Sequence, residues 1–229
     1  MTRPQDPRDP ASPPCLAHEI DPTYFDPLAV DPQQARDVTR WRKAQRQVLL
    51  AERAALPVAE RAAAVDGILP HLDAALLDRF GGVEGLVVSA WWPIKAELDL
   101  RPWLTALAAR GARVALPVVL TQAHPLVFRP WTPGCRMERG FWNILVPADG
   151  PELVPDVALA PVVGWDAAGF RLGYGGGYFD RTLAALTPRR LAIGIGLQAA
   201  QVATIFPQPH DIAMDLIITE QGIQAETVR

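Results

Sequence analysis

The chain has 229 residues, 49% of them hydrophobic and 21% charged, which is enough apolar material for one domain with a substantial core. Its formal net charge of −3 argues against a general nucleic-acid binder, and no apolar run reaches the ~18 residues that a membrane span needs. Residues 1–14 are Pro-rich and charged, without the apolar stretch of a signal peptide, and Cys15 and Cys135 are too few and too far apart for a disulfide framework, which points to the reducing cytoplasm.

Residues 1–34 are dense in Asp-Pro steps (Asp21-Pro22, Asp26-Pro27, Asp31-Pro32) and are expected to form an irregular arm. Residues 35–56 contain strong helix formers and no Gly or Pro before Pro57, a pattern that predicts a helix. A second helix is expected over 58–80, broken or kinked at Pro70 and stopped by Gly81-Gly82. Strands and helices then alternate: a buried strand over 86–92, a helix over 99–109, and strands over 113–119 and 157–165. A helix follows Gly177 and gives way at Pro188 to a strand over 191–197, with a last strand over 214–219. This alternation predicts a doubly wound α/β fold in which a mostly parallel sheet carries helices on both faces. Residues 35–229 are expected to form that single domain, with a basic helix leading into it.

The densest functional signal lies at residues 169–181, Gly-Phe-Arg-Leu-Gly-Tyr-Gly-Gly-Gly-Tyr-Phe-Asp-Arg. Gly173, Gly175, Gly176 and Gly177 permit positive φ and a close approach of bare backbone N–H groups to a ligand. A helix starting beside them adds its unpaired N–H groups and its dipole, which together make an anion site. Arg171 and Arg181 supply forked donors suited to phosphate, and Asp180 is a hard oxygen ligand suited to magnesium. The turn lacks the Gly-Lys-Ser/Thr ending of a P-loop and lies too late in the chain for a dinucleotide fingerprint. Taken alone, it is either a phosphate loop or a tight turn whose glycines let a helix pack closely on a sheet.

Two further constellations stand out. Arg42, Arg46 and Arg53 project within about 40° of one another on a helix, forming a stripe of like charge that is either a solvated face or an anion site. Lys43 points about 100° away from Arg42. Glu97 follows Trp91-Trp92-Pro93; it is either a loop acid or a carboxylate able to accept from an adjacent amine and ring N–H. Cys15, His18 and Glu19 lack the partners of a metal site, and nothing marks a covalent nucleophile.

With these residues in order, the chain resembles the 5-formyltetrahydrofolate cyclo-ligase family, also called methenyltetrahydrofolate synthetase. The family's Arg-Leu-Gly-Tyr-Gly-Gly-Gly-Tyr-Tyr-Asp-Arg signature is matched at 171–181 except for Phe179. Its basic helix is similar to Arg42-Lys43-Ala44-Gln45-Arg46 followed by Arg53, with Gln45 in place of Leu. Its aromatic-Pro segment is matched by Trp91 to Asp99, its strand ending in Leu-Pro by Leu116-Pro117, and its aromatic Asn-Ile segment by Trp142-Asn143-Ile144. Its closing His-Asp stretch is similar to His210 to Asp215. The likeness begins near residue 40 and leaves the arm outside.

The resemblance implies that ATP and magnesium serve a reaction on a folate. Arg42 and Arg46, with Lys43 as an alternative, would meet the nucleotide phosphates together with Arg171, Gly173, Tyr174, Gly175, Gly176, Gly177, Tyr178 and Arg181. Arg171 and Arg181 would act on the transferring phosphoryl group. Glu97, Trp142 and Tyr178 would hold the folate, and Asp180 and Asp215 the magnesium. In the implied reaction the formyl oxygen of 5-formyltetrahydrofolate is phosphorylated by ATP, N10 closes the ring and phosphate leaves, giving 5,10-methenyltetrahydrofolate. The departures at Gln45 and Phe179 and the extra arm keep a second reading open, a regulatory protein of the same fold that binds nucleotide or folate with little or no turnover. A third is an interaction module recruited through the arm.

Overall fold

A computed structural model describes residues 32–227. The arm expected over 1–34 lies outside the described residues except for its last three positions, which belong to the first helix, α1 (Pro32–Ala55). The chain divides into two compact units, Met1–Asp37 and Val38–Arg229. Of the first, the described part is the opening of α1, where Gln33 Nε2 donates to Asp37 Oδ2 at 3.0 Å. All other elements belong to the second.

Helix α2 (Val58–Phe80) runs through Pro70 without a break. It ends at Gly81, whose φ of 72° is left-handed and whose N–H returns to Leu77 O, a cap that costs glycine nothing because it has no Cβ. Then come β1 (Val87–Ser89), α3 (Arg101–Ala109), β2 (Arg113–Val118), β3 (Val127–Pro130), β4 (Met137–Arg139) and β5 (Leu145–Pro147). The chain continues with β6 (Val157–Pro161), β7 (Gly164–Trp165), β8 (Arg171–Leu172), α4 (Tyr178–Ala185), β9 (Leu191–Ile195), β10 (Leu216–Thr219) and β11 (Gly222–Glu226).

Seven strands form the central sheet in the order β11-β10-β9-β6-β1-β2-β3. The pairs β1–β2, β1–β6, β6–β9 and β9–β10 are parallel, and the edge strands β3 and β11 are antiparallel. The chain moves outward from β1 to β2 in one direction and from β6 to β9 in the other, so the winding reverses between neighbours β1 and β6. The mostly parallel α/β sheet is therefore the architecture expected. Helix α2 packs on β10 and β11, and α3 on β2. Ile68, Leu72 and Leu76 of α2, Leu104 and Leu107 of α3, and Leu159, Ile193 and Ile195 of the sheet are fully buried. Each such side chain contributes about 1.5–3 kcal/mol of burial.

Two expected strands are shorter than their apolar runs. The segment 157–165 leaves the sheet after Pro161, which has no N–H for the ladder, and resumes as β7. That strand pairs with β8 in a two-stranded ribbon that leads into the glycine turn, and its Trp165 also bridges Gln201. The run 86–92 pairs only as far as Ser89; Trp91 and Trp92 then pass over the carboxyl end of the sheet. Strands β3, β4, β5, β8 and β11 add to the expected set. No helix among the described residues is long and apolar enough to cross a membrane.

Candidate active site

In open α/β sheets the ligand crevice forms at the carboxyl ends of the strands, where the winding reverses. Here that point lies beyond β1 and β6, and one face of α1 binds together the loops around it. Arg42 Nε donates to Ile205 O at 2.9 Å, while its two other nitrogens reach Phe206 O and Asp211. Arg46 Nε donates to Gly173 O at 2.7 Å. Arg53 Nη2 donates to Tyr174 Oη at 2.5 Å and to Lys95 O at 3.3 Å. The stripe foreseen from helical spacing thus points inward, with Arg42 and Arg53 buried beside Leu49.

This placement gives Arg42 partners within the protein. Its guanidinium is held by the segment after β9, and Asp211 offsets part of the repulsion along the stripe. Burial by itself would raise the Asp211 pKa, but the hydrogen bonds from Arg42 and the Gln208 amide hold it below the usual carboxylate range. Arg46 remains available: its terminal nitrogens donate to none of the described residues, and burial, with Arg42 beside it, pulls its pKa down. Lys43 is exposed on another face.

The glycine turn presents its backbone. The N–H groups of Gly173, Tyr174, Gly175, Gly176 and Gly177 donate to no acceptor among the described residues. Gly175 and Gly177 take φ values of 97° and 64°. A Cβ on Gly175 would sit 3.4 Å from the Arg46 guanidinium carbon, one on Gly177 3.0 Å from Arg181 Nη1, and one on Gly173 2.7 Å from Arg171 Nη1. Three guanidinium groups therefore lie against the turn, and a Cβ at position 173 or 177 would have to displace one of them. Arg171 is buried, pairs with Asp180 Oδ2 at 3.3 Å and lies over the Phe179 ring at 5.2 Å. Burial lowers its pKa against the opposing pull of Asp180 and Asp211. The ring at position 179 is thus a platform for Arg171, a role that needs no hydroxyl. Arg181 donates to Gly176 O and lies over the Tyr178 ring at 5.0 Å.

Glu97 is 8% exposed and is held inward by its own turn, its Oε2 accepting from Ile94 N at 2.8 Å. Within that turn Lys95 and Ala96 take φ values of 46° and 61°, a conformation that costs roughly 1–3 kcal/mol per non-glycine residue and persists only where the surroundings impose it. Burial pushes the Glu97 pKa up, opposed by the Ile94 amide, Arg53 and Tyr174. The Tyr174 hydroxyl, between Arg53 and Glu97, is pushed up to about 12, mainly by burial and then by the Glu97 charge. Glu97 and Lys95 also border a cavity of about 480 Å³ against Val58, Val65 and Leu69 of α2.

Trp142 sits in a left-handed turn between β4 and β5 (φ 54°), is 60% exposed, and meets Tyr178 edge-to-face at 5.2 Å. The two aromatics named from the sequence are therefore neighbours at the mouth of the turn. The two aspartates named with them part company. Asp180 is at the turn, its Oδ1 accepting from Ile212 N at 3.3 Å. Asp215 lies at the amino end of β9, its oxygens taken by Ala192 N and Arg189 Nη2, each at 2.8 Å. Asp211 is the carboxylate that the fold brings towards Arg42, Arg46 and Arg171. A positional signal distinguishes the pair: Asp215 immediately precedes β10, and a residue there sits at the end of a parallel sheet away from the crevice.

A sequence model of the 5-formyltetrahydrofolate cyclo-ligase family matches residues 38–220, a span that contains α1 from Val38 onward and every loop just described. The curated 5-formyltetrahydrofolate cyclo-ligase of Mycolicibacterium smegmatis is 32% identical over 155 residues, 62% of this chain and 78% of that protein. The Escherichia coli K12 protein of the same name is 35% identical over 106 residues, 42% of this chain and 56% of that one. The NMR structure of Aquifex aeolicus 5,10-methenyltetrahydrofolate synthetase has a TM-score of 0.65 at 23% identity, covering 80% of this chain and 91% of its own. The Mycoplasma pneumoniae synthetase structure has a TM-score of 0.64 at 24% identity, covering 78% and 98%. At that identity the two structures speak for the fold alone; the family model carries the assignment. The chain belongs to the 5-formyltetrahydrofolate cyclo-ligase family.

Proposed function

We propose that this protein converts 5-formyltetrahydrofolate and ATP to 5,10-methenyltetrahydrofolate, ADP and phosphate. The observation that carries this reading is the Tyr174 bridge: one residue of a glycine turn with unpaired amides is held to Arg53 and, through it, beside the buried carboxylate of Glu97. This bridge supports a reading in which the turn would bind the nucleotide and Glu97 the pterin edge close to one another, as a transfer from nucleotide to folate requires.

The amides of 173–177, the N-terminus of α4 and the guanidinium groups of Arg46, Arg171 and Arg181 would hold the phosphates and offset charge on the transferring group. Glu97 would accept from the pterin amine and ring N–H, with Trp142 and Tyr178 covering the aromatic part of the substrate. Asp180 is the carboxylate at the turn that would offer magnesium a hard oxygen ligand, and magnesium bound there with nucleotide would supply further neutralisation of phosphate charge. The formyl oxygen would attack the terminal phosphoryl group with departure of ADP; N10 would then close on the formyl carbon and lose its proton, and the bond from that carbon to the phosphorylated oxygen would break to release phosphate. No side chain need act as a covalent nucleophile.

Folded protein given ATP, magnesium and 5-formyltetrahydrofolate is expected to form the methenyl product, read by its near-ultraviolet absorbance; absence of product under those conditions rejects the proposal. Gly175→Ala should cost about 1–2 kcal/mol for the left-handed backbone, or roughly 2–8 °C in Tm for a chain of this size. It should also weaken ATP binding, because relief of the positive φ would move the turn's unpaired amides. Calorimetry showing unchanged ATP affinity would place the nucleotide elsewhere.

A further inference from the structure

Two buried donors near Glu97 have no acceptor among the described residues: the indole Nε1–H of Trp91 and the Nε–H of Arg53. Both residues are 7% exposed. Unpaired buried N–H groups are rare in native proteins, and each one needs a physical explanation. Trp91 and Arg53 border the same recess, together with Glu97, Pro161 and Ile195. That recess lies at the carboxyl ends of β1, β6 and β9, where the winding reverses. Its free volume is about 10 Å³, close to the least that accommodates one oxygen atom. Apart from the two donors and Glu97 its walls are apolar, so a single acceptor atom fits the chemistry and the space.

A pterin ring presents that atom in the right company. Its exocyclic amine and ring N–H point along one edge, and the ring carbonyl adjoins the N–H. The geometry points to Trp91 and Arg53 as the residues that read this carbonyl: its oxygen enters the recess and accepts from the indole and from Arg53 Nε, while Glu97 accepts from the amine and the ring N–H. The inference rests on the folate reading of Glu97 above and adds to it the acceptor half of the recognition. It makes Arg53 a shared element, since its Nη2 already anchors Tyr174 of the glycine turn and Lys95 of the Glu97 loop. Ring recognition and placement of the turn then depend on one guanidinium.

Trp91→Phe retains most of the aromatic bulk and removes the N–H. It is expected to raise the KM and Kd for 5-formyltetrahydrofolate about three- to ten-fold, with the KM for ATP unmoved. A crystal structure of the unmodified full chain with 5-formyltetrahydrofolate and a non-hydrolysable ATP analogue should show the ring carbonyl within hydrogen-bond distance of Trp91 Nε1. That measurement decides the matter even where the variant does not fold. If a water fills the recess in the complex while the ring carbonyl lies elsewhere, or if the folded variant loses thermal stability with its folate KM intact, the inference is overturned. Those results leave the proposed activity standing. An unmodified protein that neither binds nor converts the folate overturns both, and the parent measurement separates the two failures.

Discussion

Glu97→Gln is expected to lower kcat/KM for 5-formyltetrahydrofolate by about 100-fold while leaving the protein at least as stable as the parent. Glu97 is buried and its pKa is raised by that burial. A carboxyl group with a folded pKa above its unfolded value binds more protons in the native state, so its contribution to stability is most favourable at low pH and diminishes as pH rises through the folded pKa. At neutral pH the charged form is therefore held at a cost, which glutamine removes while its carbonyl still accepts from Ile94 N–H. The substrate loses more. A carboxylate accepts from two donors at once, whereas the amide offers one acceptor and sets an NH₂ against the other, and hydrogen bonds to a charged group are worth about 1.5–3 kcal/mol. The same ionisation predicts an acid limb in kcat/KM above the ordinary carboxylate range, absent in the variant. Thermal melts and pH–rate profiles test both halves. A marked fall in Tm with little loss of kcat/KM would reassign Glu97 to holding its own loop.

Arg171→Ala is expected to reduce turnover by about 1,000-fold or more, the scale on which charge-stabilising donors act in phosphoryl transfer. Unlike Glu97→Gln, it should also destabilise the fold. Arg171 is buried against Asp180, whose side chain is 16% exposed, and removing one partner of a buried pair costs about 3–5 kcal/mol through the charge left behind. Activity loss in the single variant is therefore ambiguous, and the double variant Arg171→Ala with Asp180→Asn resolves it when its turnover is compared with that of Asp180→Asn alone, since Asp180 is itself a proposed magnesium ligand. Neutralising Asp180 should return most of the stability, measured by urea unfolding, and none of the turnover. Recovery of activity together with stability would show that Arg171 only supports the turn.

The glycine turn was legible because its chemistry is local. Positive φ at Gly175 and Gly177, and glycines where a Cβ would meet a guanidinium, follow from four glycines in five positions. The Arg42–Arg46–Arg53 stripe was legible for a related reason, since the helical period places those residues on one face whatever that face meets. What it meets was not legible. Arg42 pairs with Asp211 and Arg53 with Tyr174, contacts that join distant parts of the chain and leave no trace in composition or period. The short strands β3, β4, β5 and β11 lack the sustained apolar alternation that marks a strand, and they form because a neighbour offers a ladder.

The amino-acid sequence by itself determined the alternating α/β order, the alignment of the arginine stripe and the bare turn, because steric limits on φ and side-chain periodicity operate over a few residues. Tertiary structure decided which charges neutralise one another, which aspartate reaches the crevice, and that Trp91 and Arg53, each with an unpaired N–H, border one recess beside Glu97. Those outcomes depend on chain ends of separate strands meeting at the reversal of the winding. Burial there sets the strength of each polar contact, and it is known only once the strands have been placed side by side.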